Sequence, residues 1–337
     1  MRRELHRLAV PFREPWVTSA GVVSERELLL LRLEDDDGAV GHGEAAPFAP
    51  YDGVALEDVA QALLHPGADA LPAQARAAVE MARLDLEARR EDRAVGVPGA
   101  DAIAVNRTLG AGPVEEVVLR AAQGLKDGYS CFKLKVGLPD DIERVAAVRE
   151  AVGPWPALRL DANGAWSAAE AVEALSALVP YDLEWVEQPC RTLAELAEVR
   201  RALPGLLVAA DEPISSSADV RAAAALEACD VVCVKLAPSG GYCGARDALR
   251  AAGEAGLQAC LSSTLDGPWG IAAALQLAAS ERLFLACGLA TLDLFDGPLA
   301  SALPPPVAGL MAVPAGPGLG VGLDARELDA VLLEEAL

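Results

Sequence analysis

Five charged residues recur through the chain at nearly constant spacing, and their side chains are of the types that move protons or bind cations. They are Lys135, Asp161, Glu187, Asp211 and Lys235, separated in turn by 26, 26, 24 and 24 residues. Each stands at or just after the end of a short apolar run. A strand followed by a helix has about this length, so the spacing predicts one functional side chain at the end of each successive strand.

Three of these residues are carboxylates, and a site that gathers them needs a cation. Carboxylates at short range in a protein interior repel each other by roughly several kcal/mol. An oxygen-only donor set suits Mg²⁺, and the chain's three histidines all lie within its first 65 residues, away from these strands. We therefore expect Asp161, Glu187 and Asp211 to bind Mg²⁺, and we expect Mn²⁺ to be able to replace it.

Lysine is rare in this chain, which makes the position of each one informative. The 28 basic residues comprise 24 arginines and only four lysines, which are Lys126, Lys133, Lys135 and Lys235. Arginine stays protonated in proteins, whereas lysine can give up its proton and act as a base. Since a metal-bound carboxylate has a more acidic α-hydrogen, we expect Lys135 to abstract that proton. Lys133, Lys235 and the metal ion would all favour the uncharged form of Lys135.

The elements that must position these residues alternate regularly between residues 99 and about 304. Eight apolar runs are candidate strands, at residues 102–105, 131–136, 157–160, 183–186, 206–210, 231–236, 258–261 and 283–287. Seven alanine-rich segments with helical periodicity separate them. This alternation favours a closed parallel α/β barrel, in which all carboxyl strand ends face one mouth. An open doubly wound sheet alternates in the same way, so the pattern alone leaves it as an alternative.

The flanking segments have a different character. Residues 1–98 combine β-like runs with two helical segments, which predicts an α+β unit. Near the C terminus, Asp324 followed by Glu327 has the pattern of a helix start and predicts a final helix to about Ala336. The glycine-rich stretch 316–322 precedes no βαβ unit, so we interpret it as turns rather than as a phosphate-binding loop.

Composition excludes several classes of function. The formal net charge is −22, which disfavours binding to nucleic acid or to an anionic membrane surface. No uncharged apolar stretch is long enough for a membrane span, and no signal peptide is evident, so we expect a cytoplasmic protein. The seven cysteines are irregularly spaced, which favours reduced thiols. Composition leaves the oligomeric state open and is compatible with a monomer.

Five short motifs resemble the enolase superfamily, in particular its muconate-lactonising branch. They are Lys133-Leu134-Lys135, Leu160-Asp161-Ala162-Asn163, Trp185-Val186-Glu187-Gln188-Pro189, Ala210-Asp211-Glu212-Pro213 and Val234-Lys235. The resemblance implies a (β/α)7β modified TIM barrel over residues 99–304. It also implies an α+β capping domain made of residues 1–98 and completed by about 305–337. The loop Val17–Arg26 would then cover the substrate.

Within that branch the chain most resembles the o-succinylbenzoate synthases. The pointers are Arg159, the Leu261-Ser262-Ser263-Thr264 segment and the stretch from Gly288 to Leu294. The implied reaction is the dehydration of 2-succinyl-6-hydroxy-2,4-cyclohexadiene-1-carboxylate to 2-succinylbenzoate in menaquinone biosynthesis.

The same resemblance assigns roles to individual residues. The catalytic lysines would be Lys135, Lys235 and Lys133, and the substrate a small carboxylate. The expected substrate contacts are Arg159, Asn163, Ser262, Ser263 and Gly288. Glu212, on the opposite face of its strand from Asp211, would at most support a metal ligand indirectly.

Three alternatives stay open at this point. An N-succinylamino-acid racemase would use the same carboxylates and both lysines. A dipeptide epimerase is expected to carry Asp-x-Asp after the eighth strand, whereas this chain has Asp293-Leu294-Phe295-Asp296, with one residue too many. A barrel without catalytic activity could serve as a binding protein, although the intact lysines and carboxylates argue against it.

Overall fold

The computed structural model describes residues 1–18, 21–65, 71–97, 99–322, 328 and 332–336. Most of the chain forms a curled parallel sheet surrounded by helices, and a smaller antiparallel sheet packs beside it. Within the described residues, no helix is long and apolar enough to cross a membrane. The architecture is therefore a mixed α/β barrel with a second α+β unit, as predicted. The exact limits of the two domains stay a prediction.

Seven strands form the parallel sheet and follow one another in chain order around it. They are β5 (Arg107–Leu109), β6 (Cys131–Lys135), β7 (Ala157–Asp161), β8 (Trp185–Glu187), β9 (Val208–Ala210), β10 (Val231–Val234) and β11 (Gln258–Leu261). The helices after them are α4 (Val114–Lys126), α5 (Asp141–Val152), α6 (Ala168–Leu178), α7 (Leu193–Ala202), α8 (Ser217–Ala225), α9 (Tyr242–Glu254) and α10 (Pro268–Ser280). The strands are apolar and largely buried because both faces of the sheet are covered.

The eighth predicted strand closes the barrel through isolated bridges rather than as a full strand. Cys287 pairs in parallel with Val105, and Gly288 pairs in parallel with Ser262 at the end of β11. The Cys287 N–H donates to the Ala104 carbonyl at 2.7 Å, and the Cys287 carbonyl accepts from Asn106 at 3.0 Å. These bonds join the last strand position to the first, so the sheet is a closed barrel.

The first predicted strand needs a correction. Residues 102–105 were expected to begin the barrel, but β4 (Ala102–Ala104) pairs antiparallel with β12 (Leu310–Ala312). The Val105 N–H then donates to the Gly309 carbonyl. This run is therefore shared: it pairs with the returning C-terminal segment, and its last residues also meet Cys287 where the barrel closes. The first regular strand of the parallel sheet is β5.

The smaller sheet has the order β13-β1-β2-β3 and is antiparallel throughout. Its strands are β1 (Arg2–Thr18), β2 (Gly21–Glu34), β3 (Val40–Ala45) and β13 (Leu332–Ala336). Helices α1 (Ala49–Asp52), α2 (Leu56–Leu64) and α3 (Ala73–Arg90) follow β3. Gly41 and Gly43 lie so close to the backbone of α3 that a Cβ at either position would collide with it.

Two predictions for this unit are wrong. The last residues of the predicted C-terminal helix form β13, in which Ala336 lies opposite Leu5 of β1. β1 would otherwise be an unpaired sheet edge, and pairing satisfies its backbone groups. Leu328 is helical, whereas Asp324 and Glu327 lie outside the described residues. The segment Val17–Arg26 was expected to be a loop, but its described residues belong to strands β1 and β2, with Ser19 and Ala20 outside the described residues. Its role in covering the substrate stays a prediction.

Buried charges join the two units next to the segment that follows β11. The Arg26 guanidinium donates to the carbonyls of Ala46 at 2.9 Å and Pro47 at 2.6 Å, and also to those of Thr264 and Leu265. Glu44 accepts from the Gly267 N–H at 2.7 Å, at the start of α10. Two buried side chains of the small sheet, a guanidinium and a carboxyl group, therefore fix the backbone just beyond Ser262 and Ser263.

Burial, followed by repulsion from Asp266, raises the pKa of Glu44 to about 8 from an ordinary 4.5, although the Gly267 and Gly270 N–H groups and Arg26 oppose the shift. Folding therefore favours the protonated carboxyl. The cost of ionising it is absent below about pH 4.5, grows with pH, and is complete above about pH 8.

Glu44→Gln should accordingly gain stability relative to the wild type as the pH rises from 4.5 towards 8. Chemical denaturation across this pH range measures the difference. Glu150→Gln, at an exposed carboxylate, controls for the loss of one negative charge. If the stability difference between Glu44→Gln and the wild type does not vary with pH, the raised pKa of Glu44 would be contradicted.

Candidate active site

The strand register alone brings three predicted site residues into one row. Lys135 of β6 lies directly opposite Asp161 of β7, and Asp161 lies opposite Glu187 of β8. All three side chains stand at the carboxyl ends of neighbouring parallel strands. Asp161 and Glu187 are each only 1% exposed, so these two carboxylates are held out of water. The row lies at the mouth of the barrel, as the spacing predicted.

Lys133 links two of the buried carboxylates. Its Nζ lies 2.9 Å from Glu187 Oε1 and 3.1 Å from Asp161 Oδ2. Lys135 approaches the same Asp161 oxygen at 2.7 Å. Asp161 therefore has two ammonium groups on one oxygen, which compensates for its burial.

A further lysine–carboxylate pair lies across the barrel from Lys133, Lys135 and their carboxylates. Lys235 follows β10 and forms a buried ion pair with Asp211, which follows β9. β10 is four strands away from β6 in a closed barrel of eight strand positions, so Lys235 and Lys135 approach the mouth from opposite sides. Two proton-carrying groups on opposite sides of one small volume can act on both faces of a bound carbon acid.

Tyr51 is a site residue that the sequence analysis missed. Its hydroxyl accepts a hydrogen bond from Lys235 Nζ at 2.8 Å and donates one to Asp211 Oδ1 at 3.1 Å. Burial and then the Asp211 carboxylate raise the pKa of Tyr51 well above its usual value, so the hydroxyl keeps its proton. Tyr51 belongs to α1 in the small unit, which explains why the spacing of strand ends could not reveal it. Its position shortly after a β-like run in the N-terminal segment was the only signal.

Burial and neighbouring charges shift the pKa values at this site in opposing directions, and burial raises the pKa of Glu187 although Lys133 opposes the shift. Burial alone would lower the pKa of Lys133, but the Glu187 and Asp161 carboxylates outweigh it and raise that pKa well above its usual value. The pKa of Lys235 is raised in the same way, mainly by Asp211. Conversely, burial would raise the pKa of Asp161, but the two neighbouring lysines lower it.

Asn163 and Glu212 extend the network on one side. Asn163 Oδ1 accepts from Lys135 at 2.6 Å, and its amide nitrogen donates to Glu212 Oε1 at 3.0 Å. The other Glu212 oxygen, Oε2, is buried without a hydrogen-bond partner. Burial, with repulsion from Asp211 and Asp161, raises the pKa of Glu212 to about 7. Asn163 thus links Lys135 to Glu212.

The predicted substrate contacts are only partly brought to this site. Ser262 is buried against Gly288, where a Cβ would come within 2.7 Å of the Ser262 hydroxyl. The Ser263 hydroxyl instead accepts from the Leu265 N–H at 2.9 Å and shares a hydrogen bond with Thr291. Ser263 therefore stabilises the turn after β11 in this structure.

Arg159 does not join the cluster at the mouth. It lies opposite Lys133 and Trp185 in the register, one layer below the row of Lys135, Asp161 and Glu187. Its guanidinium donates to Glu184 Oε2 and to the Ala286 carbonyl, both at 2.6 Å, and it stacks on Trp185. These contacts hold the guanidinium below the cluster at the mouth, and a contact of Arg159 with the substrate stays a prediction.

The donor set at the mouth fits a hard divalent cation. Asp161, Glu187 and Asp211 are all at least 98% buried, and Glu212 has an unpartnered oxygen beside them. Within the described ranges, no three acidic, histidine or cysteine side chains are grouped closely enough to hold an ion as they stand. The carboxylates are instead in contact with lysine ammonium groups, so a cation would have to share the carboxylate oxygens with them.

A substitution at Lys133 tests whether its positive charge stabilises the buried carboxylates, and the test does not require an activity assay. Lys133→Met leaves Asp161 and Glu187 buried with one cation fewer, so it should reduce the stability of the metal-free protein by about 3–5 kcal/mol. Thermal and urea unfolding in chelator measure the loss, with Lys126→Met at an exposed helix position as the control. Equal stability of the two variants would show that Lys133 is not needed to balance these carboxylates.

Comparisons with known proteins agree with this architecture. A sequence model of the family described as enolase C-terminal domain-like matches residues 116–328. An o-succinylbenzoate synthase from Thermobifida fusca is 37% identical over 319 residues, covering 90% of this chain and 86% of that protein.

Solved structures give the same picture. An N-succinyl Arg/Lys racemase from Bacillus cereus has a TM-score of 0.92 at 25% identity and covers 98% of this chain and 97% of that one. A dipeptide epimerase from Enterococcus faecalis, solved with Mg and the dipeptide L-Leu-L-Tyr, has a TM-score of 0.87 at 25% identity, with coverage of 96% and 99%. The family match, the relative and the shared fold lead to one conclusion: this chain belongs to the enolase superfamily of enzymes.

Proposed function

We propose that this protein is an o-succinylbenzoate synthase, which dehydrates 2-succinyl-6-hydroxy-2,4-cyclohexadiene-1-carboxylate to 2-succinylbenzoate. The observation that carries the proposal is the placement of Lys135 and Lys235 on opposite sides of buried carboxylates. The relative from Thermobifida fusca with that activity, similar over 90% of this chain, supports the choice of substrate. A role in menaquinone biosynthesis and a cytoplasmic location belong to the same proposal.

Asp161, Glu187 and Asp211 would hold Mg²⁺, and Mn²⁺ is expected to substitute. The proposal draws support from the oxygen-only donor set and from the Mg present in the dipeptide epimerase structure. When bound, the ion makes the α-hydrogen of a substrate carboxylate more acidic and stabilises the negative charge that develops as the proton leaves. Lys133, between Asp161 and Glu187, would keep these two ligands in position.

Lys135 is the group proposed to move the proton. Its Nζ takes the α-proton of the substrate, so the C–H bond breaks and its electrons are delocalised into the adjacent carboxylate. These electrons then form the new ring double bond as the C–O bond to the ring hydroxyl breaks, and Lys135 returns its proton to the departing oxygen, which leaves as water. One base on one face suffices for both steps. The Asn163 oxygen at 2.6 Å orients the Lys135 amine for this work.

Lys235 is proposed to remain protonated throughout. Its ammonium group, held by Asp211 and Tyr51, would face the other side of the substrate and stabilise the developing charge. For the substrate itself, Asn163, Ser262, Ser263 and Gly288 are retained as proposed contacts. The succinyl carboxylate would bind near Ser262 and Gly288, where Glu44 and Arg26 fix the neighbouring backbone.

Racemisation of an N-succinylamino acid is the second candidate. It needs one group to remove the proton and another to deliver a proton on the opposite face, and the two opposed lysines supply both. The similarity to the N-succinyl Arg/Lys racemase structure supports this alternative. The two activities therefore differ in whether Lys235 must transfer a proton or only carry charge.

Arginine substitutions at the two lysines separate these functions. Lys135→Arg should lose essentially all dehydration, at least about 10³-fold, because arginine cannot give up its proton. Lys235→Arg keeps a positive charge and should retain measurable dehydration but lose racemisation. The assays are the loss of cyclohexadiene absorbance with Mg²⁺ and α-proton exchange of an N-succinylamino acid in D₂O, with Lys126→Arg as the control.

The contrary outcomes are distinct. Full dehydration in excess chelator would overturn the metal assignment. If the wild type catalyses rapid racemisation and only feeble dehydration, the assigned function would be that of a racemase. Metal binding with no turnover of any carboxylate substrate would favour a binding protein instead.

A further inference from the structure

Among the residues that the structure describes, Tyr51 is the one from the small unit that forms a hydrogen bond with a proposed proton-carrying group, Lys235. The Tyr51 hydroxyl lies 2.8 Å from Lys235 Nζ, and the ammonium group lies 4.1 Å from the centre of the tyrosine ring. The hydroxyl also donates to Asp211 Oδ1. Tyr51 thus contacts the lysine with both its ring face and its hydroxyl, and it forms a triangle with the carboxylate that pairs with that lysine.

The backbone around Tyr51 is itself firmly held. Asp52 accepts hydrogen bonds from the N–H groups of Phe48 at 3.2 Å and Val54 at 2.9 Å. It also accepts from the Gln74 side chain at 2.8 Å, which ties α1 to α3. The Tyr51 hydroxyl therefore projects from a rigid part of the small unit, so its position follows that unit as a whole.

The side chain of Lys235 is less firmly held than the backbone around Tyr51. Its side chain has several rotatable bonds, and its only protein partners among the described residues are Asp211 and Tyr51. If Asp211 binds a cation, its carboxylate is shared and holds the ammonium group less tightly. Tyr51 then becomes the contact that keeps Lys235 directed at the substrate.

We propose that Tyr51 is a positioning residue that orients the Lys235 ammonium group across the interface between the two units. This inference rests on the proposed role of Lys235 in the reaction. Tyr51 acts through the lysine and need not touch the substrate. The small unit therefore completes the catalytic arrangement of the barrel as well as covering it.

The scarcity of lysine allows a direct test of positioning in the metal-free protein. Selective ¹⁵N-labelling of lysine yields signals from only four ammonium groups, which Lys126→Arg and Lys235→Arg assign. Tyr51→Phe keeps the ring and removes the hydroxyl, so the Lys235 signal should shift and its hydrogens should exchange faster with solvent. Tyr181→Phe, at a partly buried tyrosine outside the site, is the matched control and should leave the Lys235 signal unchanged.

Kinetics supply the second readout. Tyr51→Phe should lower kcat about tenfold while KM changes less than about twofold, because a misplaced ammonium group affects the reacting complex more than binding. Tyr51→Leu removes the ring as well and should lower kcat further. A merely structural role would lower the unfolding temperature without this division between kcat and KM.

Each outcome decides the proposal. A Lys235 signal in Tyr51→Phe that matches the wild type would overturn the positioning role, and so would a shifted signal with unchanged kcat. If the wild type catalyses neither dehydration nor racemisation, the proposed function fails. The lysine signals would then still decide whether Tyr51 orients Lys235.

Discussion

The burial of several carboxylates at one end of a barrel is the constraint on which this structure depends. Asp161, Glu187 and Asp211 are almost completely removed from water, and Glu212 lies beside them. Ionised carboxylates in such surroundings need compensating cations, and in this protein lysines contact Asp161, Glu187 and Asp211. The chain retains few lysines and places three of its four at this site. In the proposed function, the same groups would balance the carboxylates without a metal ion, share them with the ion when it binds, and transfer protons.

The two structural units share the work of building this site. The barrel supplies the carboxylates and lysines through the register of its strands, which places Lys135, Asp161 and Glu187 in one row. The small unit contributes from outside: Tyr51 reaches Lys235, and the Arg26 and Glu44 side chains fix the segment after β11. Activity of the barrel should therefore depend on how the small unit is docked, because neither part contains the whole arrangement.

The sequence could predict the features that follow from local pattern and repetition. Charged residues at constant spacing after apolar runs were enough to place the strand ends of the barrel and the residues that meet at its mouth. Contacts between segments that are distant in the chain could not be predicted from local pattern and spacing. The helical pattern near the C terminus gave way to β13 because β1 offered an unpaired edge. The run at residues 102–105 is divided between the barrel and the returning chain because β12 pairs with β4. Tyr51 and the inward contacts of Arg159 likewise depend on tertiary packing.

The central claim is that Asp161, Glu187 and Asp211 form one site for a divalent cation, and that lysine ammonium groups contact these carboxylates when the ion is absent. Calorimetric titration of the chelator-treated protein with Mg²⁺ tests it most directly, with Asp211→Asn as the site variant and Asp247→Asn, at an exposed carboxylate, as the control. The account predicts a single site in the wild type and in the control, and a binding constant at least about tenfold weaker in Asp211→Asn. Equal binding by all three proteins, or no binding by the wild type, would contradict it.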